Sequence, residues 1–155
     1  MRSVTIPVAL RVLFAHGGSD DREMYSEYLR EHQFDVIETG TTDDALMKLA
    51  DAHIVITGLM MPGSMHPVEL IERIRHGSST AATPILVVTA SCEPSMLDAA
   101  RRAGADVVLT KPCYPHDLLE QLQRILDERG IREVGDGIYL VPVADRRSKP
   151  RPVRR

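Results

Sequence analysis

Short runs of Val, Ile and Leu alternate along this chain with longer amphipathic stretches, a rhythm that leaves few folds open to it. Residues 12–15, 34–37, 53–57, 85–89 and 107–109 each read as a short strand buried on both faces. Helices fill the gaps. Ser19 or Asp20 stands where a cap for the first is needed, with Asp20, Asp21 and Glu23 favourable at the positive end of its dipole. Met24, Tyr28 and Leu29 supply its apolar stripe. Thr41 or Thr42 caps the second helix, in which Ala45, Leu46 and Leu49 share a face. Pro67 suits the first turn of a third, carrying Val68, Ile71 and Ile74. Residues 94–103 form a fourth that stops at Gly104, and residues 116–129 a fifth that ends at Gly130. Five strand–helix units predict an α/β domain over residues 10–129. Its core is a doubly wound, five-stranded parallel sheet of the flavodoxin-like kind, covered on both faces as a three-layer α/β/α sandwich.

The ends read differently. Residues 1–9 are a lead-in, too short in apolar length for a secretory segment. Beyond Gly130, residues 131–134 and 138–141 flank Gly135-Asp136-Gly137, the pattern of a small hairpin in an extension over 130–145. Residues 146–155 are basic and proline-punctuated, and a disordered tail is expected there. Six basic residues fall in those last ten positions, so the net charge of −3 conceals a body carrying −9. Without aromatics or a folded motif, that tail implies at most weak, charge-driven contact with nucleic acid.

Other chemistries find little support. No apolar run reaches the roughly 18 to 20 residues that span a bilayer, so no membrane association is expected. Cys92 and Cys113 form no disulfide framework and suit a reducing compartment, which predicts a cytoplasmic protein. His32, His53, His66, His76 and His116 show no metal-ligand spacing. Gly17-Gly18 is too short for a phosphate-binding loop. No nucleophile–base pair can be assembled from the strand ends, so no enzymatic role is expected.

Three motifs carry a family likeness. One is His53-Ile54-Val55-Ile56-Thr57-Gly58-Leu59-Met60-Met61-Pro62-Gly63; another is Val87-Val88-Thr89-Ala90; the third is Gly104-Ala105-Asp106 leading to Leu109-Thr110-Lys111-Pro112. Together, over roughly residues 10–128, they resemble a response-regulator receiver domain of two-component signalling. The resemblance implies the strand order 2-1-3-4-5 of the chemotaxis receiver. It also implies a site at the carboxyl ends of the strands, where an Asp after the third strand accepts a phosphoryl group and, with an acidic pair after the first, holds Mg²⁺.

Here the matching positions are Gly58 for the acceptor and His16 and Gly17 for the pair. Glycine has no carboxylate, and Mg²⁺ wants hard oxygen ligands. The expectation is a degenerate pseudo-receiver with no Mg²⁺ and no other cofactor. Thr89 and Lys111 match the hydroxyl and ammonium that contact phosphoryl oxygens, and Val108 matches the aromatic switch residue of the fifth strand. Asp20 and Asp21 are read as helix-capping residues, which leaves Lys111 unopposed. Lys111-Pro112 is expected to keep a turn, cis as in the family. The function read from these residues is a phosphorylation-independent module acting by protein–protein interaction. In the family, helix 4, strand 5 and helix 5 form the face for a signalling partner or a homodimer, here residues 94–103, 107–109 and 116–129. No DNA-binding domain is expected after Gly130. The alternative is a sensor holding a small anion or molecule among Lys111, Thr89 and His16.

Overall fold

The computed structural model describes residues 4–143 of the chain. Its centre is a five-stranded parallel sheet in the order β3-β2-β4-β5-β6, made of β2 (Arg11–Ala15), β3 (Asp35–Thr39), β4 (Ile54–Thr57), β5 (Ile85–Thr89) and β6 (Val107–Thr110). Counting only these parallel strands, the order is 2-1-3-4-5, as the resemblance to a receiver domain implies.

Alternation along each strand divides the core into two halves. Val12, Phe14, Ile54, Ile56, Leu86 and Val88 face α1 (Ser19–Glu31) and α5 (Pro115–Glu128), meeting Leu29, Leu118, Leu122 and Leu126. Leu13, Ala15, Val55, Ile85 and Val87 face the other way, against Ala45 of α2 (Thr42–Lys48), Leu70, Ile71 and Ile74 of α3 (Pro67–His76), and Ala100 and Ala103 of α4 (Pro94–Ala103). The fold is therefore a three-layer α/β/α sandwich of the flavodoxin-like kind.

Helix starts follow side-chain chemistry, with one departure. The Thr41 hydroxyl accepts the Asp44 N–H at 3.0 Å, and the imidazole of His66 accepts the Val68 N–H at 3.0 Å. Neither Ser19 nor Asp20 caps α1. The cap position is Gly18, without a side-chain bond, and its carbonyl accepts the Arg22 N–H at 2.9 Å. The apolar face of α1 keeps Tyr28 and Leu29 of the sequence reading but begins at Tyr25 rather than Met24. Tyr25 and Leu29 are buried while Met24 is 43% exposed, because the Tyr25 ring stacks on Phe14 at 5.7 Å between centroids.

The lead-in assigned to residues 1–9 contains a strand. β1 (Val4–Ala9) pairs antiparallel with β8 (Ile138–Val143), which pairs with β7 (Arg132–Gly135), giving a second sheet of order β1-β8-β7. This sheet joins β2 through Leu10 at the end of the parallel strands opposite their carboxyl termini. Tyr139 anchors it, 5% exposed and stacked on Phe34 with centroids 5.6 Å apart. The tail expected at 146–155 lies outside the described residues.

At the same end, the Asp106 carboxylate accepts the Ile85 N–H at 2.8 Å and pairs with Arg75 at 2.8 Å and Arg129 at 2.7 Å. Arg75 in turn donates to the carbonyls of Gly104, Ala81 and Thr83.

Candidate functional site

The carboxyl ends of β2, β4, β5 and β6 gather His16, Gly58, Thr89 and Lys111. Register places them there: Ala15 lies opposite Thr57, Thr57 opposite Val87, and Thr89 opposite Thr110.

His16 is fixed on several sides. Its backbone N–H bonds to the Thr39 carbonyl at 3.0 Å, and its own carbonyl accepts from Arg22 at 2.7 Å. Nδ1 accepts the Gly18 N–H at 3.0 Å. Nε2 lies 2.9 Å from Lys111 Nζ. Only 9% exposed, the ring sits beside the space above Gly58: a Cβ on residue 58 would stand 3.2 Å from His16 Cδ2. Burial, reinforced by the Lys111 ammonium, holds the His16 pKa below its ordinary 6.5.

Gly17 allows two loops to touch. A Cβ there would come within 2.8 Å of the Met60 carbonyl oxygen, in the loop after β4. That loop is pinned to the start of α2. The Thr42 N–H bonds to the Pro62 carbonyl at 3.0 Å, its hydroxyl donates to Met65 at 2.9 Å, and the Ser64 N–H bonds to Asp43 at 2.9 Å.

Gly58 itself donates to the Ala15 carbonyl at 2.9 Å and accepts from the Thr57 hydroxyl at 2.8 Å. Thr89 is 2% exposed, and its hydroxyl oxygen accepts the Ser91 N–H at 3.0 Å. Its carbonyl accepts the Lys111 N–H at 2.8 Å, ahead of a cis Lys111-Pro112 bond. Val108 does not join this group; it is half-buried against the α2–α3–α4 half of the core.

Lys111 is not unopposed. Its ammonium donates to the carboxylate of Asp21 as well as meeting His16. That hydrogen bond holds the Asp21 pKa below its ordinary 3.8. The assignment of Asp21 to helix capping is thereby corrected: the first turn of α1 aims this carboxylate at the strand ends. Starting the face of α1 at Met24 hides it, since Asp21 is four residues before the buried Tyr25 and eight before Leu29. A stripe drawn through Tyr25 and Leu29 would have put Asp21 on the inner face. Tyr25 reinforces the site, its hydroxyl donating to the Cys113 carbonyl at 2.5 Å in the loop that begins with Lys111.

Among the described residues, no group of three or more His, Cys, Asp and Glu side chains is arranged to hold a metal ion, and no helix is long and apolar enough to cross a membrane.

Known proteins with the same architecture bear on this site. A family model described as the response regulator receiver domain matches residues 18–123. The phosphate regulon transcriptional regulatory protein PhoB of Pseudomonas aeruginosa is 27% identical over 147 residues, covering 90% of this chain and 63% of that protein. This chain thus spans under two thirds of that relative's length. The chemotaxis protein CheY-3 of Vibrio cholerae is 28% identical over 123 residues, covering 76% of this chain and 92% of that protein. The structure of the chemotaxis response regulator CheY4 of Vibrio cholerae superposes with a TM-score of 0.71 at 30% identity, covering 77% of this chain and all of that one.

Proposed function

The chain belongs to the response regulator receiver domain family, and we propose that within two-component signalling it works as a protein-interaction module without aspartyl phosphorylation. One observation carries this reading. The place above Gly58 is flanked by the His16 ring, and the Lys111 ammonium is matched by Asp21, so the pocket's cation is already neutralised by one of the chain's own carboxylates.

Mg²⁺ does not suit this donor set. It asks for hard oxygen ligands, preferably carboxylates. Here the positions His16, Gly17 and Gly58 offer an imidazole that faces an ammonium, while the nearby carboxylate of Asp21 is engaged by Lys111. The anion-sensor reading loses its main support for the same reason, because the lysine it depends on already has a counter-charge.

Output then falls to a surface. β6 is the edge of the parallel sheet, and its Val107, Val108 and Leu109 are only half-buried between α4 and α5. An apolar strand with one unpaired edge is suited to docking a signalling protein or a second copy of this chain. Beryllofluoride with Mg²⁺, followed by amide chemical shifts, tests the reading. Unchanged spectra are expected; saturable shifts centred on Gly58 would sink it.

A further inference from the structure

We propose that His16 is a proton-operated latch: neutral, it lets Lys111 stay paired with Asp21 across the pocket, and protonated, it expels Lys111 and takes Asp21 for itself. The argument starts from donors and acceptors. Because Nδ1 accepts the Gly18 N–H, the neutral ring carries its proton on Nε2, the nitrogen that lies 2.9 Å from Lys111 Nζ. Two donors meet there, and the Asp21 carboxylate is the acceptor that holds the ammonium in place.

A second proton upsets both ends of the ring. Nδ1 can no longer accept from Gly18, and Nε2–H becomes part of a cation pressed against another cation. Lys111 from the β6–α5 loop and Asp21 and Arg22 from α1 are the charged groups that act on His16; the neighbouring positions of the β4 and β5 ends, Gly58 and Thr89, carry none. Lys111 is the cation that competes with the imidazolium for the Asp21 carboxylate. Lys111 is the one free to leave, because Arg22 is held by the His16 carbonyl at 2.7 Å and by Glu38 at 3.6 Å. Burial and Lys111 both disfavour the charged ring, so the latch opens only on the acid side of an ordinary histidine.

Release of Lys111 removes the side-chain tie between α1 and the start of the β6–α5 loop, which borders the α4–β6–α5 face and keeps its backbone bonds to Thr89 and Tyr25. The latch thus gives that face a regulator other than phosphate. This step rests on the reading that the pocket stays unphosphorylated.

The test is a proton titration of the whole chain followed by NMR, reading the His16 ring, the Lys111 ε-methylene and the amides of residues 17–22 and 111–114. A common midpoint for all of them is expected, and loss of the transition at 111–114 in His16→Gln. In Asp21→Asn, a half-exposed change that the fold tolerates, the Lys111 ε-methylene should be motionally averaged at every pH. Titration of the ring with 111–114 unmoved would overturn the latch. So would a transition persisting in His16→Gln, or an ordered Lys111 in Asp21→Asn. Beryllofluoride with Mg²⁺ on the same sample judges the phosphorylation reading separately, and the proton titration decides the latch whichever way that control falls.

Discussion

Gly17 and Met60 stand so close that any side chain on residue 17 would meet the Met60 carbonyl oxygen, at 2.8 Å from its first carbon. The obstacle is backbone, held by the bonds between the β4–α3 loop and α2, so it does not yield as a flexible side chain would. Gly17→Ala is expected to cost about 1–3 kcal/mol, the usual range for overpacking. Urea denaturation measures it; a variant as stable as the parent would mean that the two loops separate freely.

Gly58→Asp alone is expected to bind Mg²⁺ no better than the parent chain. The new carboxylate would arrive against His16, with Cβ only 3.2 Å from Cδ2, and would find no second carboxylate at Gly17. Isothermal titration calorimetry with MgCl₂ should give no binding heat for either protein. Saturable binding by the single variant would show that Asp21 or Asp20 can leave its present place to complete a site.

Stability should depend on pH through His16. Its folded pKa lies below 6.5, so just beneath 6.5 the unfolded chain takes up a proton that the native protein refuses. Stability therefore rises with pH through that window and levels off above it. Asp21 acts lower: its contribution is present above 3.8 and is lost as pH falls through its depressed folded value. With a side chain 46% exposed, its share is small. Urea midpoints measured across the pH range should show the first slope, and His16→Gln should flatten it.

Asp106→Ala removes the acceptor shared by Arg75, Arg129 and the Ile85 N–H. The carboxylate is 22% exposed, and a loss of about 2–3 kcal/mol is expected, within the range for hydrogen bonds to charged groups and short of that for a fully buried pair. Asp106→Asn should recover part of it by keeping an acceptor for Ile85. Thermal unfolding of the two variants separates these terms, and equal losses would contradict the role given to the Ile85 bond.

Tyr139→Ala should cost about 3 kcal/mol, the low end for deleting a buried aromatic side chain. The ring links the small sheet to Phe34 and the main core. Hydrogen exchange should report whether loss of this anchor loosens β1, β7 and β8 ahead of the parallel sheet; uniform loosening would make the two sheets one cooperative unit.

What could be seen in the sequence was whatever local chemistry announces. Pro84 and Pro94 stand before β5 and at the start of α4, and Gly104, at φ +124°, stops α4, so those elements were read with their observed bounds. The strand ends are legible in the same way, whereas the positions of His16, Gly58, Thr89 and Lys111 come from the resemblance of the strand-end motifs to a receiver domain. β1 was not, because its partner β8 lies at the other end of the chain and Pro7 argues against a strand. Asp21 was missed because Met24 and Tyr25 are adjacent and both apolar enough to lead a helix face. Stacking of Tyr25 on Phe14, a contact made only in the folded state, decides between them.

Pairing of Val4 with Val143 has a consequence for the order of events as the chain takes shape. The parallel sheet is assembled from neighbouring strand–helix units, each closing a short stretch of chain. β1 has to wait until β8 exists, and then must close the longest loop among the described residues, which places this pairing late. The first of the described strands in chain order is thus the one that spends longest with both edges bare, and Pro7 within it is a safeguard against the wrong neighbour during that wait.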